Sequence, residues 1–193
     1  MTNLRHIRAF ICFKLPGRII SSIRGLQKSM QNSGLQVRWV RPENIHLTIK
    51  FLGNIRVSDI NDIEIAVQET AVNFSPLLLS AGGAGVFPNI RKPRVIWTGI
   101  EGQRKELVDL QKMLAEKLGC IGFPKETRPF KGHLTIGRLK GRVDSRKLAE
   151  NISRVNSFTT KQFFCDRIFL MQSELKPSGP IYSRLMSEPL GWR

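Results

Sequence analysis

The chain has 193 residues, of which 41% are hydrophobic and 24% are charged, an ordinary globular mix that excludes wholesale disorder. Lysine and arginine number 31 against 15 acidic residues. The resulting formal net charge of +16 predicts a polyanionic partner such as nucleic acid, a nucleotide or an anionic membrane. The length fits one domain, or two small lobes that share a core.

Cysteine usage and hydropathy bear on the cellular compartment. Cys12, Cys120 and Cys165 are odd in number and lie far apart in the sequence, which disfavours a disulfide framework and a zinc ribbon. We therefore expect a cytoplasmic protein with reduced thiols. The apolar run near the N-terminus is too short for a secretory signal, and no apolar stretch approaches the roughly 18 residues of a membrane span.

The positive charge is concentrated in two segments. Residues 1–56 carry ten basic side chains and one acidic, a net of +9, and residues 125–147 carry eight and two, a net of +6. Together they hold +15 of the +16. A merely solubilising surface would spread the charge more evenly, so we expect binding of the polyanion to depend on these two segments more than on the rest of the surface.

Apolar spacing predicts strands and helices that alternate loosely along the chain. In the first half the expected elements are a strand at 7–15, a helix from Pro16 to Gly34, strands at 37–40 and 45–52, the latter stopped by Gly53, and a helix capped by Ser58. In the second half they are strands at 77–87 and 93–100, a helix ended by Gly119, a basic loop at 124–132, a strand at 132–139, a helix capped by Asp144, and strands at 158–171 and 181–186. This order predicts an α+β fold in which neighbouring strands pair antiparallel.

The sequence His-Leu-Thr-Ile occurs twice, at 46–49 and at 133–136, in predicted strands at matching places of the two halves. The repeat uses two of the three histidines, and each copy lies in one basic segment. Alternation along a strand places His46 and Thr48 on one face about 7 Å apart, with Ile45, Leu47, Ile49 and Phe51 on the core face. His133 and Thr135 are related in the same way.

Two such pairs facing each other across a cleft suit a phosphodiester. In-line displacement at phosphorus needs a base on the attacking oxygen and an acid on the leaving oxygen, and histidine serves both roles near neutral pH. Threonine hydroxyls can donate hydrogen bonds to the non-bridging oxygens, where charge develops. The adjacent segment supplies four cations: Lys125, Arg128, Lys131 and Arg138. Such a site needs no metal and no cofactor.

Several other interpretations of these residues stay open at this point. A strand histidine is often structural, and a metal site of two histidines with Glu43 is conceivable, although neither copy has the spacing of a zinc motif. A non-catalytic basic RNA-binding module would explain the charge, but the chain lacks the interleaved aromatic residues of a stacking platform.

The motifs and their flanks resemble those of the 2H phosphoesterases, named for two His-x-Thr/Ser-x motifs, and within them the RNA 2′,3′-cyclic phosphodiesterases, formerly called 2′-5′ RNA ligases (the LigT/ThpR group). The segments that carry the resemblance are AFICFKLP at 9–16, WVRPENIHLTIKFLG at 39–53, PRVIW at 93–97, RPFKGHLTIGR at 128–138 and SELKPSGPIY at 173–182. Within this class, 2′-5′ ligation and 2′,5′-phosphodiester hydrolysis at the same site are alternative activities.

The resemblance implies a bilobal, duplicated α+β fold with an antiparallel sheet and helices in each lobe, arranged by a pseudo-two-fold axis around a central cleft. It implies one domain, 1–193, of two interleaved lobes, acting as a monomer on RNA with a 2′,3′-cyclic phosphate end. By motif match, His46 is the proton donor, His133 the proton acceptor, and Thr48, Thr135 and Arg138 bind phosphate.

Two features of this sequence depart from the expected pattern. Gly132 stands where many relatives have proline before the second histidine. Strict strand alternation also places Arg138 on the face opposite His133, so a bulge or twist near Gly137 is needed to bring Arg138 to the cleft.

Overall fold

A computed structural model describes residues 5–31 and 34–191. The elements in chain order are β1 His6–Lys14, α1 Gly17–Gln31, β2 Val37–Trp39, β3 His46–Arg56, α2 Ile60–Ala71, β4 Leu77–Phe87, β5 Val95–Gly102, α3 Arg104–Cys120, β6 His133–Leu139, α4 Ser145–Arg154, β7 Phe163–Cys165, β8 Arg167–Lys176 and β9 Gly179–Pro189. Short 3-10 turns at Pro42–Asn44 and Val57–Asp59 precede β3 and α2. The predicted α+β class is confirmed.

The strands of the described chain form one curled antiparallel sheet in the order β7-β4-β5-β6-β3-β1-β8-β9, and β2 pairs with β6. The sheet has two halves, β9-β8-β1-β3 and β6-β5-β4-β7. A single residue pair, Leu47 opposite Leu134, joins β3 to β6. Beyond that pair β6 bonds instead to β2, between Gly137 and Leu139. The two halves are thus two lobe sheets that meet at one point.

Helix α1 packs against the end of the second repeated motif. Its apolar stripe, Ile19, Ile23, Leu26 and Met30, is buried as the sequence predicts. The buried side chain of Gln27 donates from Nε2 to the carbonyl oxygens of Val40 and Ile136, each at 2.8 Å. Gln27 therefore satisfies two main-chain acceptors at once and holds α1 against β6.

The other helices cover the same apolar face of the sheet. Helix α2 packs on α3, β8 and β9, α3 also contacts β3 and β4, and α4 contacts β4. Asp144 caps α4 as predicted, since Oδ1 accepts from the backbone N–H groups of Arg146 and Lys147. The central residues Leu47 and Leu134 are fully buried beneath these helices.

Several predicted boundaries are wrong. Gly53 does not end β3; it adopts φ +72° beside a bulge and the strand continues to Arg56. Ser58 does not cap α2, because the 3-10 turn places Asp59 at that position and the Asp59 carboxylate bonds back to Arg56.

The expected strand at 158–171 is interrupted at Asp166, and helix α3 extends one residue past Gly119 to Cys120. The interruption separates β7, which pairs with β4, from β8, which pairs with β1. Two apolar strands separated by Asp166 therefore belong to different lobe sheets. In residues 5–31 and 34–191, no helix is long and apolar enough to cross a membrane.

Candidate active site

The two copies of His-Leu-Thr-Ile meet where the lobe sheets meet. Leu47 and Leu134, the second residues of the copies, are the antiparallel pair that joins β3 to β6. On that register His46 lies opposite Thr135, and Thr48 lies opposite His133. All four polar side chains therefore lie on the face opposite the two buried leucines, beside the point where the lobe sheets meet.

Each copy contains a β-bulge at its isoleucine. Along β3, Thr48 and Lys50 pair with consecutive residues of β1, which leaves Ile49 unpaired. Along β6, Thr135 and Gly137 pair with consecutive residues of β5, which leaves Ile136 unpaired. The six residues that start at each histidine accordingly share one pattern of burial, in which the fourth and fifth are both buried and the sixth is exposed.

The bulges decide the positions of Phe51 and Arg138. Each is the sixth residue of its copy, and the bulge transfers it to the face that carries His and Thr. The expectation that Phe51 fills the core is therefore wrong, since it is 65% exposed. Strict alternation would place Arg138 on the core face. Because of the bulge at Ile136, Arg138 instead lines the same cavity as Thr135.

A cavity of about 600 Å³, hereafter the cleft, occupies this region. Its lining includes His46, Thr48, Thr135 and Arg138, which the sequence singled out, and also Tyr182. His133 is half-buried and is not among the residues that line the cleft. Its register and its electrostatic effect on His46 place it beside the cleft.

The imidazole of His46 is oriented from two sides. Its Nδ1 lies 2.8 Å from the carbonyl oxygen of Asn44, which can only accept, so Nδ1 carries the hydrogen and Nε2 is left for chemistry. The ring stacks on Phe10 with centroids 4.6 Å apart and meets Tyr182 edge-on at 5.4 Å. Burial lowers the His46 pKa to about 4, the Asn44 hydrogen bond opposes this fall, and the charge of His133 adds to it.

His133 repeats this arrangement in the second lobe. Its Nδ1 donates to the carbonyl oxygen of Lys131 at 2.7 Å, again from two residues earlier in the chain. Phe87 meets the ring edge-on at 4.9 Å and packs in turn on Trp97. Burial lowers the His133 pKa, and the charge of Lys131 lowers it further against the opposing backbone hydrogen bond.

The cations around the cleft differ from those expected. Of the four predicted in the second basic segment, Arg138 is the one in the cleft lining. Lys125 pairs with Glu116 at 3.5 Å, and the Lys131 ammonium lies 4.2 Å from the centroid of the Trp97 ring.

The remaining cations of the cleft come from the first basic segment: Arg8, Arg38 and Arg41. The net charge of residues 1–56 pointed to that segment, but not to these three members. Tyr182 was also missed, although it lies in the C-terminal segment that resembles the family. Burial raises the Tyr182 pKa, and the charges of Arg138 and Arg8 oppose the rise.

Glu43, the carboxylate considered for a metal site, lines a second cavity of about 310 Å³ that shares His46 with the cleft. Within the described ranges, no three His, Cys, Asp or Glu side chains are grouped so as to hold a metal ion.

Burial of His46 predicts a pH dependence of folding stability. In the unfolded chain this imidazole has the usual histidine pKa of 6.5, whereas in the folded chain its pKa is about 4. Between these two pH values the unfolded chain therefore binds a proton that the folded chain does not. Stability should therefore fall as the pH drops through this interval. His46→Gln should flatten the fall in urea midpoints, whereas Thr48→Val, a neutral change in the same site, should leave it intact. Parallel curves for wild type and His46→Gln would contradict the burial of a neutral imidazole.

Comparison with known proteins is consistent with this geometry. A family model described as LigT-like phosphoesterase matches the chain twice, over residues 14–97 and 99–182. An RNA 2′,3′-cyclic phosphodiesterase of Methanothermobacter thermautotrophicus is 36% identical over 92% of this chain and 95% of its own length. The protein of the same name from Methanocaldococcus jannaschii is 33% identical over 91% and 96%.

Solved structures show the same fold. A Thermus thermophilus protein aligns with a TM-score of 0.80 and 24% identity over 97% of this chain and all of its own. Escherichia coli LigT complexed with 3′-AMP aligns with a TM-score of 0.77 and 21% identity over 96% and 99%. From the twofold match, the identity to full-length relatives and the shared fold, the chain belongs to the LigT-like, or 2H, phosphoesterase family.

Proposed function

We propose that this protein hydrolyses the 2′,3′-cyclic phosphate end of RNA to a 2′-phosphomonoester, without a metal ion, by acid–base catalysis between His46 and His133. The observation that carries the proposal is the pairing of Leu47 with Leu134, because its register sets His133 beside the cleft that His46, Thr48 and Thr135 line. The names of relatives that share 33% to 36% of the sequence support the substrate.

The reaction is an in-line displacement at phosphorus. Nε2 of His133 accepts a proton from water, whose oxygen bonds to phosphorus as the bond to the 3′ oxygen breaks. Nε2 of His46 delivers a proton to that departing oxygen, so one water is added overall. The hydroxyls of Thr48 and Thr135 donate to the non-bridging oxygens, and the guanidinium of Arg138 balances the charge that develops on them.

The surroundings of the two histidines suit acid–base chemistry at both rings. Burial lowers the pKa of both imidazoles, and a phosphodiester anion between them favours their protonated forms. Lys131 adds a positive charge beside His133, whereas the corresponding residue before His46 is the neutral Asn44. Burial lowers the His46 pKa to about 4 as well, so these shifts do not separate acid from base, and the division of roles rests on the motif match.

We further propose that the protein acts in the cytoplasm as a monomer, with residues 1–193 forming a single domain of two interleaved lobes. The three cysteines are free, which supports a reducing compartment. The strand order supports the interleaving, since β8 and β9 complete the lobe sheet that β1 and β3 begin.

The activity is tested with an RNA oligonucleotide that ends in a 2′,3′-cyclic phosphate, incubated in excess EDTA. We expect full turnover, because histidine and hydroxyl groups supply both the proton transfers and the charge stabilisation. Phosphorus NMR of the product should show a 2′-phosphomonoester. A 3′-phosphate product, or activity lost in EDTA and restored by a divalent ion, would contradict the proposal.

The histidine roles are tested by replacing the 3′ bridging oxygen of the substrate with sulfur, since a thiolate leaves without a proton. With the oxygen substrate, His46→Ala and His133→Ala should each lower kcat by at least about 10²-fold, the low end for acid–base catalysis. With the sulfur substrate, His46→Ala should recover to within about tenfold of wild type while His133→Ala stays slow. His6→Ala, at the third histidine, is the control and should match wild type. Recovery of His133→Ala in place of His46→Ala would exchange the two roles.

A further inference from the structure

The cleft contains more positive charge than its chemistry requires. Four arginines line it, Arg8, Arg38, Arg41 and Arg138, and no aspartate or glutamate is among the lining residues. All four are exposed, and none takes part in an ion pair within the described chain. A cyclic phosphodiester carries one negative charge, which Arg138 and the threonine hydroxyls already meet.

Two of these arginines directly oppose each other. Arg38 of β2 pairs in register with Arg138 of β6. Like charges at directly opposed positions of an antiparallel pair are destabilising, and no carboxylate of the cleft lining relieves this one. A bound polyanion would relieve the repulsion, because its phosphates would stand between the two guanidinium groups.

The remaining two arginines extend the charge away from Arg138. Arg8 lies on β1 and acts together with Arg138 on the electrostatics of Tyr182, so both flank the Tyr182 side of the cleft. The Arg41 guanidinium donates to the carbonyl oxygen of Ser178 in the turn between β8 and β9, which fixes it beside that turn. The positive charge thus spans β1, β2 and the segment before β3.

We propose that Arg8, Arg38 and Arg41 bind the phosphates that precede the cyclic end of an RNA strand, so that an oligonucleotide is preferred over a cyclic mononucleotide. This inference rests on the proposed function, which supplies the position of the cyclic end at His46 and Thr48. The shared chemistry is recognition of phosphate by guanidinium, and a free nucleotide with a 5′-polyphosphate could offer it as well.

The test compares KM for three substrates: a 2′,3′-cyclic mononucleotide, the same mononucleotide bearing a 5′-triphosphate, and a tetranucleotide with a cyclic end. The tetranucleotide has three internal phosphates, one for each arginine. Arg8→Gln, Arg38→Gln and Arg41→Gln should each raise KM for the tetranucleotide about fivefold, the size of one exposed ion pair. KM for the plain mononucleotide should change far less, because Arg138 and the threonine hydroxyls bind its single phosphate.

Salt dependence adds a second readout of the same sites. The log–log slope of kcat/KM against salt should be steeper for the tetranucleotide than for the mononucleotide, by about 0.7 for each bound phosphate. Each arginine variant should remove about one such increment. Arg24→Gln and Arg154→Gln, at exposed positions of α1 and α4, are the matched controls and should leave both slopes unchanged.

Three outcomes would overturn the inference. Equal losses for the mononucleotide and the tetranucleotide would mean that the arginines act on the cyclic phosphate itself. Unchanged KM in all three variants would mean that they bind no phosphate. A triphosphate mononucleotide bound as tightly as the tetranucleotide, and weakened by the same variants, would assign the arginines to a free nucleotide. In each case the wild type still hydrolyses cyclic phosphate, whereas failure of the proposed function would leave every substrate intact.

Discussion

The whole site depends on one contact between β-strands, the antiparallel pairing of Leu47 with Leu134. Both side chains are fully buried, so the contact is maintained by the apolar core on one face of the sheet. On the other face the same contact sets the distance between two His-x-Thr units. Packing and chemistry are therefore coupled at one place, since a shift of either strand by one residue would turn its histidine toward the core.

The duplicated bulge extends this coupling, and the two lobes use it differently. After Ile49 the first copy places Lys50 in the interior, where its ammonium donates to the Pro124 carbonyl and pairs with Glu126 at 3.1 Å. After Ile136 the second copy has Gly137, where a Cβ would come within 2.6 Å of Val37. Lys50 thus holds the loop that leads to His133, while Gly137 allows β2 to approach and bring Arg38 to the cleft.

Much of this arrangement could be predicted from sequence, because the signals were periodic or repeated. The stripe of α1, the Asp144 cap and the inward-facing leucines follow from helix and strand periods that the tertiary structure respects. The repeated tetrapeptide predicts that His46 and Thr48 share one face of a strand and that a second pair, His133 and Thr135, faces them across a cleft. The proximity of the two pairs follows from the register of β3 against β6, which cannot be read from a single sequence.

The parts that could not be predicted depend on local departures from those periods. A bulge shifts the alternation of side chains along a strand by one residue. Strict alternation therefore predicts Phe51 in the core and Arg138 away from the cleft, whereas the bulges place both side chains on the face that carries His and Thr. The break falls at the charged pair Asp166-Arg167, but the assignment of β7 and β8 to different lobe sheets follows only from their pairing. Charge counts located the basic segments, but side-chain direction decided that Arg8, Arg38 and Arg41 line the cleft and Lys125 does not.

The central claim is that two lobes present two imidazoles to one phosphate. The most direct test is an NMR titration of histidine-labelled protein with a 2′-phosphomononucleotide, which is the proposed product. The ring resonances of His46 and His133 should shift together along one binding curve, and the pKa of each should rise, because one anion lies between them. A ligand that moves only one of the two resonances, or moves them at separate concentrations, would contradict the shared site.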